Sequence, residues 1–257
     1  MPATDLELDL LIQLIDIPHF GRRRCGFRCD RQQSNLFRHA GSRVLLSCSR
    51  QSGKSTITAL KVVHCAFFRP NSTVVVTAPI KQQTREFIRK VRNLAALGES
   101  AKSGDKFSVL FHNGSRIVGV AANEDTIRSF SSVALVIIDE AARVADDVYY
   151  SLLPMLAVSG GSLWILSTPK GKRGFFHQEW AKPEADTKAW IKFSVKAEDC
   201  PRIPTQFLEE QKVRMGARRY AQEYECLFVE LDRGVFDPDV VQKAFRKDVK
   251  PYTEFDL

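Results

Sequence analysis

Gly53-Lys54-Ser55-Thr56 and the adjacent carboxylates Asp139-Glu140 are the residues of this sequence best suited to polyphosphate chemistry. The first group closes the run Val44-Leu45-Leu46-Ser47-Cys48-Ser49-Arg50-Gln51-Ser52-Gly53-Lys54-Ser55-Thr56. That run reads as strand, tight loop and helix, the context a phosphate-binding loop requires. Gly53 lets the backbone pass close to an oxyanion, and successive N–H groups with the following helix N-terminus bind it. Lys54 supplies a point charge for the β- and γ-phosphates, and the Ser55 hydroxyl suits Mg2+. In the usual pattern G-x-x-x-x-G-K-S/T the first glycine would fall where this chain has Cys48.

The second group ends Leu135-Val136-Ile137-Ile138-Asp139-Glu140, four apolar residues followed by two acids, a Walker B pattern. At the C-terminal end of a buried strand, Asp139 can reach the Mg2+ shell while Glu140 orients or deprotonates the attacking water. Asp139 alone could equally cap the next helix. Its pairing with Lys54, in the order such folds demand, favours ATP as fuel and leaves open what the fuel drives.

These residues need a sheet to position them. From Arg43 onward short β-branched runs alternate with longer helical patterns, the signature of parallel βαβ units. The central strands are expected at Val44–Ser47, Thr73–Thr77, Ala134–Ile138 and Leu163–Ser167, all apolar enough to be covered on both faces. Phe107–Phe111 and Arg116–Val120 flank Asn113-Gly114, a hairpin signal, and are expected as an antiparallel insertion. Upstream, Leu6 to Ile17 has helical spacing that Pro18 and Gly21 break, before an Arg-rich stretch from Arg22 to Arg31 that reads as a solvated loop or a DNA-contacting patch. Trp190–Val195 is a further strand; Thr205 caps one late helix, and Gly216 separates it from a second, Ala217–Glu225.

The expected fold is α/β: a P-loop NTPase of the ASCE/RecA-like kind, a three-layer sandwich with a mainly parallel central sheet, antiparallel additions and a small helical C-terminal appendage. Residues 1–40 form a helical segment, 41–200 the ATPase core, and 201–257 a helical and linker subdomain. The 257 residues, 44% hydrophobic, suffice for a sizeable core, and 38 Lys and Arg against 30 Asp and Glu leave a net charge of +8, a mild bias toward a polyanion. The acidic start is unlike a signal peptide and no apolar run is long enough to span a membrane, so the chain reads as intracellular. Of six cysteines only Cys25 and Cys29 lie close together, which argues against zinc and for reduced thiols.

From about Asp30 to Phe236 the chain resembles the large terminase subunits of tailed bacteriophages and related viruses. Arg50-Gln51-Ser52-Gly53-Lys54-Ser55-Thr56 is similar to that family's variant Walker A, which carries an arginine and often lacks the leading glycine. Asp30-Arg31-Gln32-Gln33 resembles its adenine-recognising Q motif, with Gln33 as the base reader, although Gln32 stands where an aromatic residue is usual; a polar residue opening a helix is the other reading. Thr77-Ala78-Pro79 resembles the motif after the second strand. Ser167-Thr168-Pro169-Lys170-Gly171 resembles the coupling motif that links γ-phosphate status to movement, or is simply a Pro-Gly turn. Ile127-Arg128-Ser129-Phe130 resembles the Ile-Arg-Gly element whose arginine acts as a finger on the neighbouring subunit, or is a surface arginine. Arg219 to Phe228 resembles the Gln-Glu-Tyr helix that closes the ATPase region, with Tyr220, Tyr224 and Phe228 as core.

The resemblance implies an Mg2+-dependent ATPase in which Arg50, Gln51, Ser52, Gly53, Lys54, Ser55 and Thr56 hold nucleotide. Ser55 and Asp139 bind metal, Glu140 activates water, and Arg128 completes a neighbour's site. It implies double-stranded DNA, a portal protein and the small terminase subunit as partners, a homo-oligomeric (pentameric) ring when assembled, and action in the host bacterium's cytoplasm. The family's ribonuclease-H-like nuclease domain normally begins where this chain stops, near Phe255-Asp256-Leu257, so no DNA cleavage is expected of a chain that reads as a truncated packaging enzyme. A helicase or remodelling ATPase of another P-loop branch, and a nucleotide-gated DNA-binding scaffold, remain alternatives.

Overall fold

A computed structural model of the chain describes residues 4–39, 41–97, 101–123, 130, 132–183 and 190–230. Among these residues eight strands form one sheet: β1 (Arg43–Cys48), β2 (Thr73–Ala78), β3 (Ala101–Ser103), β4 (Ser108–Phe111), β5 (Arg116–Ala121), β6 (Val133–Asp139), β7 (Ser162–Ser167) and β8 (Ile191–Val195). Their spatial order is β3-β4-β5-β2-β6-β7-β1-β8. The four strands expected at the centre are contiguous there and parallel throughout. All seven residues of β6 are buried, as its unbroken apolar run requires.

Successive side chains of a strand point to opposite faces, and the core divides accordingly. Val44, Leu46, Val74, Val76, Leu135 and Ile137 face one helical layer. Leu45, Val75, Val136, Ile138, Leu163 and Ile165 face the other. The first layer holds α4 (Lys54–Phe68) and α5 (Lys81–Leu97); the second is built around α6 (Asp146–Leu152) and α7 (Gly174–Ala181). A third, small cluster of Ala197, Leu208 and Tyr224 joins α8 (Thr205–Met215) to α9 (Ala217–Tyr224).

Three local expectations are corrected. The Asn-Gly hairpin exists, with β4 antiparallel to β5, but it is no separate insertion, because β5 pairs in parallel with β2 and extends the main sheet. Pro18 and Gly21 do not end helical structure. After α1 (Asp5–Ile15), a second helix, α2 (Ile17–Arg24), runs through both and takes up Arg22, Arg23 and Arg24. Proline is welcome in a first turn, where its missing N–H has no helical acceptor. Glycine at 21 is a packing requirement: a Cβ there would stand 2.8 Å from Leu60 Cδ2. Thr205 is the first helical residue of α8 and not its cap; Pro204 holds that position with no side-chain cap.

Helix α1 is tied down through His64 of α4, whose Nε2 lies 3.0 Å from the Gln13 carbonyl oxygen. Burial, helped by the neighbouring Lys61 charge, lowers the His64 ring from its usual range to about 4. A base with a depressed folded pKa binds more protons when unfolded, so its contribution is present above the unfolded value and is lost as pH falls toward 4. Acidification from pH 7 to pH 5 is expected to cost about 2 kcal/mol through this one group. Urea denaturation at the two pH values should show that loss in the wild type and a smaller one in His64→Gln; equal losses would rule His64 out as the cause.

Candidate nucleotide site

Parallel register fixes the site before any side chain is considered. Ser47 of β1 lies opposite Ser167 of β7, and Asp139 of β6 lies opposite Leu166 of β7. The loop after β1, the acids after β6 and the segment after β7 therefore emerge together, in the crevice at strand C-termini where open α/β sheets take ligands.

Cys48 is the last residue of β1, not part of the loop, so its position calls for extended backbone and no glycine. It is fully buried, and burial pushes its thiol up to about 12, as befits a small apolar strand residue. The loop proper turns at Gln51 (φ 60) and Gly53 (φ 86), both left-handed. The left-handed φ favours glycine at 53, and a Cβ there would stand 3.2 Å from Gln33 Nε2 and from Arg202 Nη2, which would have to give way. The Ser52 hydroxyl braces the turn by donating to the Ser49 carbonyl at 2.9 Å. Helix α4 then starts at Lys54, with Thr56 N–H and Ile57 N–H donating to the Gly53 carbonyl at 3.0 and 3.1 Å. The N–H groups of Lys54 and Ser55, which precede them, have no helical acceptor and are left for an anion.

Lys54 Nζ lies 2.9 Å from Glu140 Oε1 and 3.4 Å from Thr168 Oγ1. Burial works against the ammonium, but Glu140 and Asp139 outweigh it, and the Lys54 pKa is raised. Ser55 Oγ donates to Asp139 Oδ2 at 3.0 Å. Burial raises the Asp139 carboxyl above its usual range, Lys54 opposing the shift and Glu140 adding to it. Glu140 adopts left-handed backbone (φ 53), uncommon for a residue with a Cβ and worth about 1 kcal/mol of strain. Ser55, Asp139 and Glu140 open into a cleft walled by Ile80, Gln83 and Lys90.

The Ser55 hydroxyl and the Asp139 carboxylate are hard oxygen donors. Among the described residues no group of three or more His, Cys, Asp or Glu could cage a metal. Two protein oxygens beside a phosphate cradle fit Mg2+, which keeps waters and substrate oxygens in its shell.

The remaining residues singled out in the sequence fall around this centre. Ser167 and Thr168 are buried; Ser167 Oγ accepts from the Ala142 N–H at 3.1 Å and donates to the Thr168 carbonyl at 2.8 Å. Pro169 is buried behind them. Gln33 is 5% exposed and sits against Gly53; its Oε1 accepts from the Asp30 N–H at 3.1 Å. Gln51 is exposed and Thr56 half-buried. Arg50 stands apart from the acids, its Nε 2.6 Å from Glu223 Oε2. Arg128, with Ile127 and Ser129, lies outside the described residues.

Three residues of the site were not anticipated. Arg143 Nη1 pairs with Glu140 Oε2 at 2.8 Å, and its place three residues on, across one helical turn, was the available signal. Arg202 donates through Nη2 to the Ser52 carbonyl at 2.8 Å and pairs with Asp30, joining the loop after β1 to the start of helix α3 (Arg31–His39). Glu223 lies on a helix read as structural. For Arg202 and Glu223 no local sequence pattern pointed to the contact.

A family model described as "Terminase large subunit, T4likevirus-type, N-terminal" matches residues 45–241. Among curated proteins, the terminase large subunit of Thermus virus P23-45 is 28% identical over 174 residues, covering 59% of this chain and 36% of that protein. The chain thus spans about a third of the length of the curated relatives it matches. The Thermus Phage P74-26 large terminase ATPase domain superposes with a TM-score of 0.67 at 22% identity, over 86% of this chain and 98% of that one. The large terminase of a thermophilic bacteriophage, solved with ATP-gamma-S, gives a TM-score of 0.65 at 15% identity, over 77% and 52%. Both likenesses concern the fold.

Proposed function

This chain belongs to the terminase large-subunit family, and from that premise we propose that it is an Mg2+-dependent ATPase whose turnover drives double-stranded DNA into a viral procapsid. The observation that carries the reading is the convergence of Lys54, Ser55, Asp139 and Glu140 at the ends of β1 and β6. The known nucleotide complex of a similarly folded terminase supports it.

Lys54 and the first-turn N–H groups of α4 bind the β- and γ-phosphates, and Gln33, packed on Gly53, reads the adenine edge. Ser55 and Asp139 hold Mg2+, which when bound neutralises charge on the phosphate oxygens. The Lys54 ammonium, 2.9 Å from Glu140, is also the cation that serves the phosphates, so its engagement with them leaves one oxygen of Glu140 for the attacking water. Arg143 keeps the other, leaving the carboxylate oriented and able to take a proton from the attacking water. Thr168, 3.4 Å from Lys54 Nζ, and its neighbours Ser167 and Pro169 pass the state of the phosphates to the rest of the chain. Arg128 supplies a guanidinium to a neighbouring subunit's site.

The wider setting belongs to the same proposal: a homo-oligomeric ring, pentameric when assembled, on the portal protein in the host cytoplasm, fed by the small terminase subunit. Residues 41–200 act as the ATPase core, 1–40 as the base-recognising flank and 201–257 as the link onward. No helix among the described residues is long and apolar enough to cross a membrane. Steady-state phosphate release tests the activity, with and without Mg2+ and linear duplex DNA. Mg2+-dependent release that duplex DNA stimulates is expected. ATP binding without release would favour the scaffold alternative, and stimulation by single strands accompanied by unwinding the helicase.

A further inference from the structure

Arg202 stands at the edge of the loop after β1 with its guanidinium fixed at two points. Nη1 pairs with the Asp30 carboxylate, and Nη2 donates to the Ser52 carbonyl at 2.8 Å. Its backbone is anchored as well. The Cys200 N–H donates to the Ala197 carbonyl at 3.1 Å and the Ile203 N–H to the Cys200 carbonyl at 3.0 Å, with Ala197 and Cys200 both buried. The guanidinium is thereby held beside Gly53, where an added Cβ would meet its Nη2 and the Gln33 Nε2 alike at 3.2 Å.

Hydrogen bonds to a guanidinium lie in its plane, and here both terminal nitrogens are already engaged. The Arg202 side chain is nevertheless 46% exposed, against 15% for its Asp30 partner. What it offers a ligand is therefore chiefly its flat face, a surface that takes a nucleobase much as an aromatic ring does. Base recognition needs such a surface in this chain. Gln33 Oε1 accepts from the Asp30 N–H at 3.1 Å while the Gln33 N–H donates to Asp30 Oδ1 at 2.8 Å, a reciprocal cap at the start of α3. That leaves Nε2 as the unengaged end of the Gln33 amide, and the preceding residue, Gln32, has no ring to stack on a base.

We infer that the Arg202 guanidinium is the platform on which the adenine ring of ATP stacks, with Gln33 meeting the base edge from alongside. The inference rests on the ATP reading and deepens it by giving the base a partner. Asp30 and the Ser52 carbonyl set the plane of the platform, and Asp30 touches no nucleotide itself. A lysine could not do the same work, because its charge sits on one nitrogen with no face to present.

The test compares two ligands that share a triphosphate and differ in the base: a slowly hydrolysed ATP analogue and inorganic tripolyphosphate, each with Mg2+, titrated by calorimetry into the full chain. Arg202→Ala is expected to raise the Kd of the ATP analogue about tenfold, the scale of one base-stacking contact, and to leave that of tripolyphosphate within about twofold. Arg202→Lys keeps the charge and loses the plane, so it should match the alanine variant. Equal weakening of both ligands would make Arg202 a brace for the loop and overturn the inference. So would wild-type affinity for the analogue in either variant, or a wild type that binds the two ligands equally; each outcome leaves the phosphate site intact. Wild type binding the analogue no better than Lys54→Ala would overturn the ATP reading as well. Should Arg202→Ala not fold, Arg202→Lys carries the same comparison alone.

Discussion

Glu140→Gln is expected to lower ATP turnover about a thousandfold while leaving the Kd for ATP within a few-fold of wild type. The amide has nearly the shape of the carboxylate and can still accept from Arg143 Nη1, 2.8 Å away in the native site. What it loses is the ability to take a proton and the charge that engages Lys54 at 2.9 Å. Binding depends on Lys54, Ser55 and the N–H groups at the start of α4, none of which is altered; without Glu140 the ammonium has one competitor fewer. Single-turnover hydrolysis beside an equilibrium binding titration separates the two effects. Undiminished turnover would remove Glu140 from the mechanism and leave its left-handed backbone without a catalytic role.

Mixing Arg128→Ala chains with Glu140→Gln chains is expected to restore turnover that neither shows alone. Among the described residues, the cations paired with Glu140 are Lys54 and Arg143, both from the same chain. Phosphoryl transfer also spreads charge over the far side of the terminal phosphate, where an arginine from outside is worth orders of magnitude in rate. If Arg128 provides it across a subunit boundary, each site needs Glu140 from one chain and Arg128 from the next. In a mixed ring some junctions have both. Phosphate release followed across mixing ratios should pass through a maximum; a flat line at the level of the single variants would confine Arg128 to its own chain or to no role.

Much of this was legible before any coordinates. The apolar runs of β1, β2, β6 and β7 contain almost nothing that could face water, so they had to be central strands, and the residues following three of them had to meet at one edge. Lys54, Ser55, Asp139 and Glu140 were readable because strand ends and spacing alone bring them together. Pro18 and Gly21 misled because a breaker acts by position: proline in a first turn costs nothing, and the glycine answers to Leu60 rather than to its own helix. The pairing of β5 with β2 was hidden because a hairpin signal describes two strands and not the third one they join. Arg202 and Glu223 were out of reach for a different reason, since their contacts with Ser52 and Arg50 are long-range accidents of the fold with no periodicity to betray them.

Between the lysine's strand and the acids' strand lies β7, so the two backbones stand two strand spacings apart, about 10 Å. The Lys54 and Ser55 side chains cross that distance to meet Glu140 and Asp139, with the enclosed hydroxyls of Ser167 and Thr168 at the end of the strand between them. The span they must cross is thus set by a strand that belongs to neither Walker motif. Two chains could share every residue of both motifs and still differ in how closely the lysine approaches the acids.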